Sequence, residues 1–266
     1  MQDDKSDTER TTDQIDVARA NALSVTLGCK GGFAQGDALP PFYHQVYFWD
    51  AKAAAQLGRD GHPKTGQGLI PDLGLSRRMW ASGRLAFKTP LRAGVPPQKI
   101  SRLGEVTRKE GRNGPLAFVT LEHEIWQDGQ MCLREMQDLV YRPDASPNDV
   151  KPKPRKAEIS AEERREVAFS STMLFRYSGL TFNGHRIHYD LDYARQVEGY
   201  AGLVVHGPLL AQLLMLFEVE RSGRLEQFQF RAIAPLMHDQ KAVLCAAGQN
   251  YWVEDQQGHL IMTAKV

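Results

Sequence analysis

An amide and an imidazole stand five residues apart in Tyr177-Ser-Gly-Leu-Thr-Phe-Asn183-Gly-His185-Arg186-Ile-His188-Tyr-Asp190, a loop with a glycine in its middle. A second stretch, Gly202-Leu-Val-Val-His206-Gly207-Pro208, passes through a small-residue turn straight into the apolar run Leu209–Phe217. Together they suit chemistry on a thioester carbonyl. An imidazole, with an ordinary pKa of about 6.5, both takes and returns a proton near neutral pH. The free N–H groups at a helix start hold negative charge that builds on oxygen. Pro208 fits the first helical turn but has no N–H, so the Gly207 amide is the best placed donor. Asn183 carries an amide, which is no base near neutral pH and can only orient water or the carbonyl.

The elements that must position these groups form two similar series. Arg84-Leu-Ala-Phe-Lys-Thr-Pro90-Leu91 lines up with Phe228-Gln-Phe-Arg-Ala-Ile-Ala-Pro235-Leu236. Each reads as an alternating strand, a Pro-Leu corner and a second strand (Lys99–Glu105, Ala242–Ala247). Two more strands come next in each series: Ala117–Trp126 with Met131–Tyr141, and Gln249–Glu254 with Leu260–Val266. Asp128-Gly129 and Gln257-Gly258 supply the turns. Leu209, Leu210, Leu213, Leu214 and Phe217 give a helix that is apolar nearly all round, as expected where a sheet encloses it. The corresponding place in the first series, between Pro71 and Gly83, is short and polar, so that half reads as a degenerate copy. Between the series, 144–165 holds Pro147, Pro152 and Pro154 with a Lys-Pro-Lys-Pro-Arg-Lys run and reads as a surface linker. The fold class expected is α+β, two copies of a helix wrapped by a curved antiparallel sheet. The boundaries are 1–143, linker 144–165 and 166–266.

Composition narrows the partners. A formal net charge of +1 over 266 residues gives no general affinity for nucleic acid or an anionic membrane. No apolar run approaches the roughly 20 residues that a membrane span needs. The polar, acidic Met1–Arg10 is neither a secretory signal nor an Arg-rich transit peptide. Cys29, Cys132 and Cys245 lie far apart without paired spacing, which reads as a reduced, cytoplasmic chain. No phosphate loop is present, since Gly58-Arg-Asp-Gly-His-Pro-Lys64-Thr65 has Pro63 where a second glycine belongs. There is no dinucleotide fingerprint either, and nothing calls for a cofactor. His185 and His188 suggest a metal pair, but no third ligand has matching spacing, so no metal is expected.

Leu180-Thr-Phe-Asn-Gly-His-Arg-Ile-His188, with His206-Gly-Pro-Leu209, resembles the signature of the MaoC-like, hydratase-2 type hotdog proteins, roughly Ser-Gly-Asp-x-Asn-Pro-x-His. It is closer still to their double-hotdog subgroup of mesaconyl-C4-CoA and itaconyl-CoA hydratases and fungal 3-hydroxyacyl-thioester dehydratases. Leu39-Pro-Pro-Phe-Tyr-His44, Arg77-Arg-Met-Trp-Ala-Ser-Gly83 and Glu135-Met-Gln-Asp-Leu-Val-Tyr-Arg142 carry the likeness into the first half. The resemblance implies a double hotdog packed as a pseudo-dimer, with residues 166–266 catalytic and 1–143 not. It implies water added to an unsaturated acyl-CoA, itaconyl-CoA or mesaconyl-C4-CoA, to give citramalyl-CoA. His188 takes the family's His position, and Asn183 stands where the family has Asp. A dicarboxylic substrate needs a cation for its free carboxylate, and arginine's planar fork suits that. Arg186 and Arg176 are the leading candidates, with Arg77 and Arg78 behind them. Arg186 reads equally well as a surface residue, His206 as a hydrogen-bonding residue that shapes the turn, and Tyr177 as core or pocket wall. Asp190 and Asp192 fit as caps of a helical segment Leu191–Glu198. The reverse reaction of a 3-hydroxyacyl-thioester dehydratase, thioester hydrolysis and a non-catalytic acyl-CoA binding module stay open, as does further pairing into a homodimer.

Overall fold

The computed structural model describes residues 8–144, 146, 149 and 153–266. Ten strands make one antiparallel sheet: β1 (Thr8–Thr12), β2 (Arg77–Phe87), β3 (Gln98–Gly111), β4 (Gly114–Gln127), β5 (Gln130–Arg142), β6 (Glu163–Val167), β7 (Gln227–Ala232), β8 (Ala242–Ala247), β9 (Asn250–Asp255) and β10 (Leu260–Lys265). Their order is β1-β3-β4-β5-β2-β7-β10-β9-β8-β6. Read inward from either edge, the order is the same: first strand, third, fourth, fifth, second. The two series meet where β2 pairs with β7, Gly83 opposite Phe230. The expected turn at Asp128 and Gly129 has both residues at positive φ, 48° and 75°, which matches the twist of the β4–β5 hairpin.

The second series wraps its sheet around α3 (Gly207–Ser222), which begins one residue before Pro208. Leu209, Leu210, Leu214, Met215 and Phe217 are buried there against Phe228, Phe230, Tyr251, Val253 and Met262. Each such side chain removed from water contributes about 1.5–3 kcal/mol. Gly223 closes the helix at φ 81°. In the first series no helix lies between Leu57 and Ser76. Arg77–Gly83, which the sequence placed in that helix's position, is the start of β2. With no helix to cover it, the inner face of the first series keeps polar groups such as Ser101, His123 and Glu135.

Two shorter helices lie ahead of the site. α1 (Val17–Thr26) is capped by Asp16 and α2 (Ser171–Leu180) by Ser170, and they pack on each other. The linker expectation needs one correction. Glu163–Arg165, assigned to it on composition, belong to β6, and Arg165 pairs with Leu244 of β8. A charged edge strand satisfies the ladder on one side and keeps the other side soluble, so charge alone misled. Residues 145, 147, 148 and 150–152, the middle of the linker with Pro147 and Pro152, lie outside the described residues, as do 1–7. No helix among the described residues is long and apolar enough to cross a membrane.

Candidate active site

The motif loop leaves α2 through Phe182, at φ 52°. Asn183 Oδ1 then accepts the backbone N–H of His185 at 3.0 Å, an Asx turn that reverses the chain. A single 3-10 turn spans Arg186–His188. Asp190 caps the next helical turn by accepting from the Tyr193 amide at 3.0 Å, as expected, although Tyr193–Val197 is wound as a π-helix.

A segment of the first series holds this loop in place. Gly61, at φ 90°, lies against Gly184 so closely that a Cβ on Gly61 would sit 1.9 Å from the Gly184 carbonyl oxygen. The Arg186 amide donates to the Asp60 carbonyl at 2.9 Å, and the Arg186 guanidinium donates to the Arg59 carbonyl at 3.1 Å. His62 thereby reaches His185, with ring centroids 4.4 Å apart. His185 meets His188 edge-on at 5.3 Å, and His188 stacks on His206 at 3.6 Å. Four imidazoles thus form a row. Asp60 accepts from His62 Nδ1 at 3.0 Å at one end, and Ser178 Oγ bonds His206 Nε2 at 2.8 Å at the other.

His188 is buried, and its Nδ1 lies 2.7 Å from the Val204 carbonyl oxygen. A carbonyl only accepts, so Nδ1 carries the proton and Nε2 keeps its lone pair. Burial pushes the His188 pKa down to about 3, so the ring is neutral near pH 7. Burial likewise lowers His185, His62 and His206. Burial alone would raise Asp60, but the bond and charge of His62 outweigh it and leave its pKa lowered.

His188, His185, His62, Asn183, Tyr177 and Gly207 line one cleft of about 1690 Å³, which runs between the two series. That exceeds the usual small-molecule pocket of about 300–1,000 Å³ and has room for a long ligand. Gly207 is the first residue of α3, and its cap His206 makes no side-chain bond to the helix start. Tyr177 Oη is buried without a hydrogen-bond partner.

Three expected substrate contacts are not on the cleft wall. His206 lies behind His188 and is fully buried. Arg176 is exposed on α2, whereas the next residue, Tyr177, is buried. Arg186 is clasped by Asp190 at 2.7 Å and covers the Tyr193 ring at 4.2 Å. In the other direction, sequence spacing missed Asp60 and His62. Their Asp-Gly-His triplet reads in the sequence only as a failed phosphate loop. With His185, they place one possible ligand atom each within 4.8 Å, the third group that spacing alone did not supply. Asp60 and His62 already bond each other, however, and the positive charge of Arg78 acts on all three, which opposes a cation there.

A two-series antiparallel sheet wrapped on one enclosed helix, with a cleft running between the series, defines a double-hotdog fold. The family model of hydroxyacyl-thioester dehydratase type 2 matches residues 42–238. A mesaconyl-C4-CoA hydratase of Chloroflexus aurantiacus is 44% identical over 234 residues, 86% of this chain and 82% of that protein. Among solved structures, a MaoC-like dehydratase from Phytophthora capsici superposes with a TM-score of 0.71 at 11% identity, over 98% of this chain and 95% of that one. A Mycobacterium tuberculosis protein described as a double hotdog superposes at 0.60 with 12% identity, over 99% and 96%. This chain belongs to the hydroxyacyl-thioester dehydratase type 2 family, enzymes of the MaoC-like hotdog type.

Proposed function

We propose that the enzyme adds water across the double bond of an unsaturated dicarboxylic acyl-CoA, mesaconyl-C4-CoA or itaconyl-CoA, to give citramalyl-CoA. The likeness to the Chloroflexus hydratase supports the substrate class. The observation that carries the chemistry is the His188 tautomer, fixed by Val204 with Nε2 left free at the cleft. His188 Nε2 takes a proton from water while the oxygen bonds the β-carbon. In mesaconyl-C4-CoA, whose double bond is conjugated to the thioester, the π electrons shift onto the thioester oxygen, which the Gly207 N–H holds at the start of α3. The imidazolium then returns the proton to the α-carbon, so one water is consumed and nothing is left over. Asn183 orients the water or the carbonyl with its free amide N–H₂, since its oxygen is spent on the loop.

On this reading residues 166–266 carry the catalytic half and 1–143 the non-catalytic half, joined by 144–165. The first half nonetheless supplies Asp60 and His62 to the motif loop. Three free cysteines fit a cytoplasmic enzyme. The same site run backwards is a 3-hydroxyacyl-thioester dehydratase, the reading favoured by the family description. Incubation with itaconyl-CoA, mesaconyl-C4-CoA, crotonyl-CoA and a medium-chain enoyl-CoA, then mass spectrometry, tests both. Water gained on the dicarboxylic members supports the proposal, and gain on the simple chains alone supports the second reading. Release of free CoA overturns both.

A further inference from the structure

A dicarboxylic acyl group brings a second negative charge into the cleft, and where that charge sits on the β-carbon it is one bond from the atom that receives hydroxide. A cation that reads it must therefore stand beside the imidazole row. It must also be open to the cleft and not already neutralised.

Most cations of the cleft fail one of these conditions. Arg142, Lys153, Arg155 and Arg231 also line it without an ion pair among the described residues, but they are not among the charges that act on Asp60, His62 or His185. Arg176 and Arg186 do not face the cleft. Arg77 does, but its Nε is held by Glu198 at 2.5 Å, with both side chains buried. Lys52 is paired with Asp50 at 2.8 Å, and Lys64 donates to the Ala55 carbonyl at 2.9 Å. Lys99 lacks an ion pair but faces the charge of Glu135, on the polar floor of the first series. Arg78 differs from all of these. It alternates with Arg77 along β2 and sits across from Tyr141 of β5. It is half-buried, lines the cleft and has no hydrogen-bond or ion-pair partner among the described residues. Its charge acts on Asp60, whose carboxylate is bonded by His62, and on His62 and His185, which places it at the motif end of the cleft.

We infer that Arg78 is the specificity residue of this enzyme, its guanidinium binding the free carboxylate of a short dicarboxylic acyl-CoA at the His185 end of the imidazole row. The inference rests on the dicarboxylic reading above. The planar fork of Arg78 meets a carboxylate at two points, and the pairing relieves an otherwise unpartnered cation. An enoyl chain ending in methyl gains nothing from that cation, so Arg78 favours diacids by adding a contact that fatty acyl groups cannot make.

Succinyl-CoA and butyryl-CoA test this without turnover, because neither has a double bond to hydrate. Their affinities are measured by calorimetry on wild type, Arg78→Gln and Lys99→Gln. Wild type is expected to prefer succinyl-CoA by about 10- to 150-fold, the range for a hydrogen-bonded charged contact. Arg78→Gln should abolish that preference and leave butyryl-CoA and free CoA bound as before; Lys99→Gln should keep it. No preference in wild type, equal weakening of both ligands, or loss of preference in Lys99→Gln each overturns the assignment. Equal weakening together with weaker free CoA would place Arg78 on the CoA phosphates instead. If the preference depends on Arg78 while no acyl-CoA gains water, the anchor stands and the hydratase reading fails.

Discussion

The ring of His188 lies flat on the ring of His206, 3.6 Å between centroids and 19° from parallel. That stack fixes the plane of His188 while the Val204 carbonyl fixes its tautomer, so the lone pair of Nε2 has one direction left. His206 works from behind: Ser178 bonds its Nε2, and its Nδ1 has no partner. A base held by a stack and one bond is pre-oriented before substrate arrives.

His188→Gln removes the base and keeps a planar group of similar size. Turnover should fall by about 10²- to 10⁴-fold, the usual worth of a positioned acid–base group. Acyl-CoA affinity and Tm should stay near wild type. A variant keeping more than a tenth of wild-type kcat would take the proton transfer away from His188.

Gly61→Ala tests the lock between the two loops. The added methyl meets the Gly184 oxygen and forces a side chain into φ 90°. Gly28→Ala is the control, since Gly28 has φ 75° but open space around it. The control should cost about 1–2 kcal/mol from backbone strain alone and leave kcat/KM unchanged. Gly61→Ala should cost more and lower kcat sharply, because the Asp60 carbonyl and His62 move away from Arg186 and His185. Equal stability losses with full activity in both would mean the loops do not depend on each other.

Arg186→Ala separates a clasp from a substrate contact. Arg186 spends its donors on Asp190 and the Arg59 carbonyl. Its loss should reduce kcat/KM on mesaconyl-C4-CoA and crotonyl-CoA by the same factor and lower Tm only slightly, as a solvent-exposed pair allows. A loss confined to the dicarboxylic substrate would return Arg186 to the role its place in the motif first suggested.

Much of this was legible from residues that act locally. Alternation marks β4 and β5, Asp128-Gly129 marks their turn, and Pro208 before a leucine-rich run marks α3. Asn183 and His188 stand out through the resemblance of their loop to the family signature, which spacing alone would not carry. The hidden parts depend on contacts between distant segments. Nothing near Asp60 announces that it will meet the loop at His185, because Gly61 only reveals its purpose against Gly184. The arginines look alike in the sequence for a related reason. Arg77 and Arg78 look equivalent in a polar stretch and both line the cleft, but as strand neighbours they alternate, and Arg77 is held by Glu198 while the Arg78 guanidinium has no partner among the described residues. Charge in Glu163–Val167 hid an edge strand because composition reports solubility and pairing is a property of the backbone.

Stability should fall steeply on mild acidification, and the buried histidines set the sign. His188 and His123 are both pushed down to about 3 by burial, and His62, His185 and His206 are lowered by the same cause. In the unfolded chain each takes up a proton at about 6.5. Between those limits the unfolded state binds protons that the native state refuses, so stability is full above about pH 6.5 and is lost as pH falls toward 3. Each histidine contributes a slope of about 1.4 kcal/mol per pH unit. Urea unfolding at pH 7, 6 and 5 should give a denaturation midpoint that drops progressively, with an uptake of four to five protons on unfolding at pH 5, roughly one for each lowered histidine. His188→Gln should reduce that uptake by about one. In the same range kcat/KM should show no fall through pH 6.5, because the His188 base stays unprotonated in the folded enzyme. An uptake below two protons, or a loss of activity centred on pH 6.5, would mean the imidazole row is solvated and charges as free histidine does.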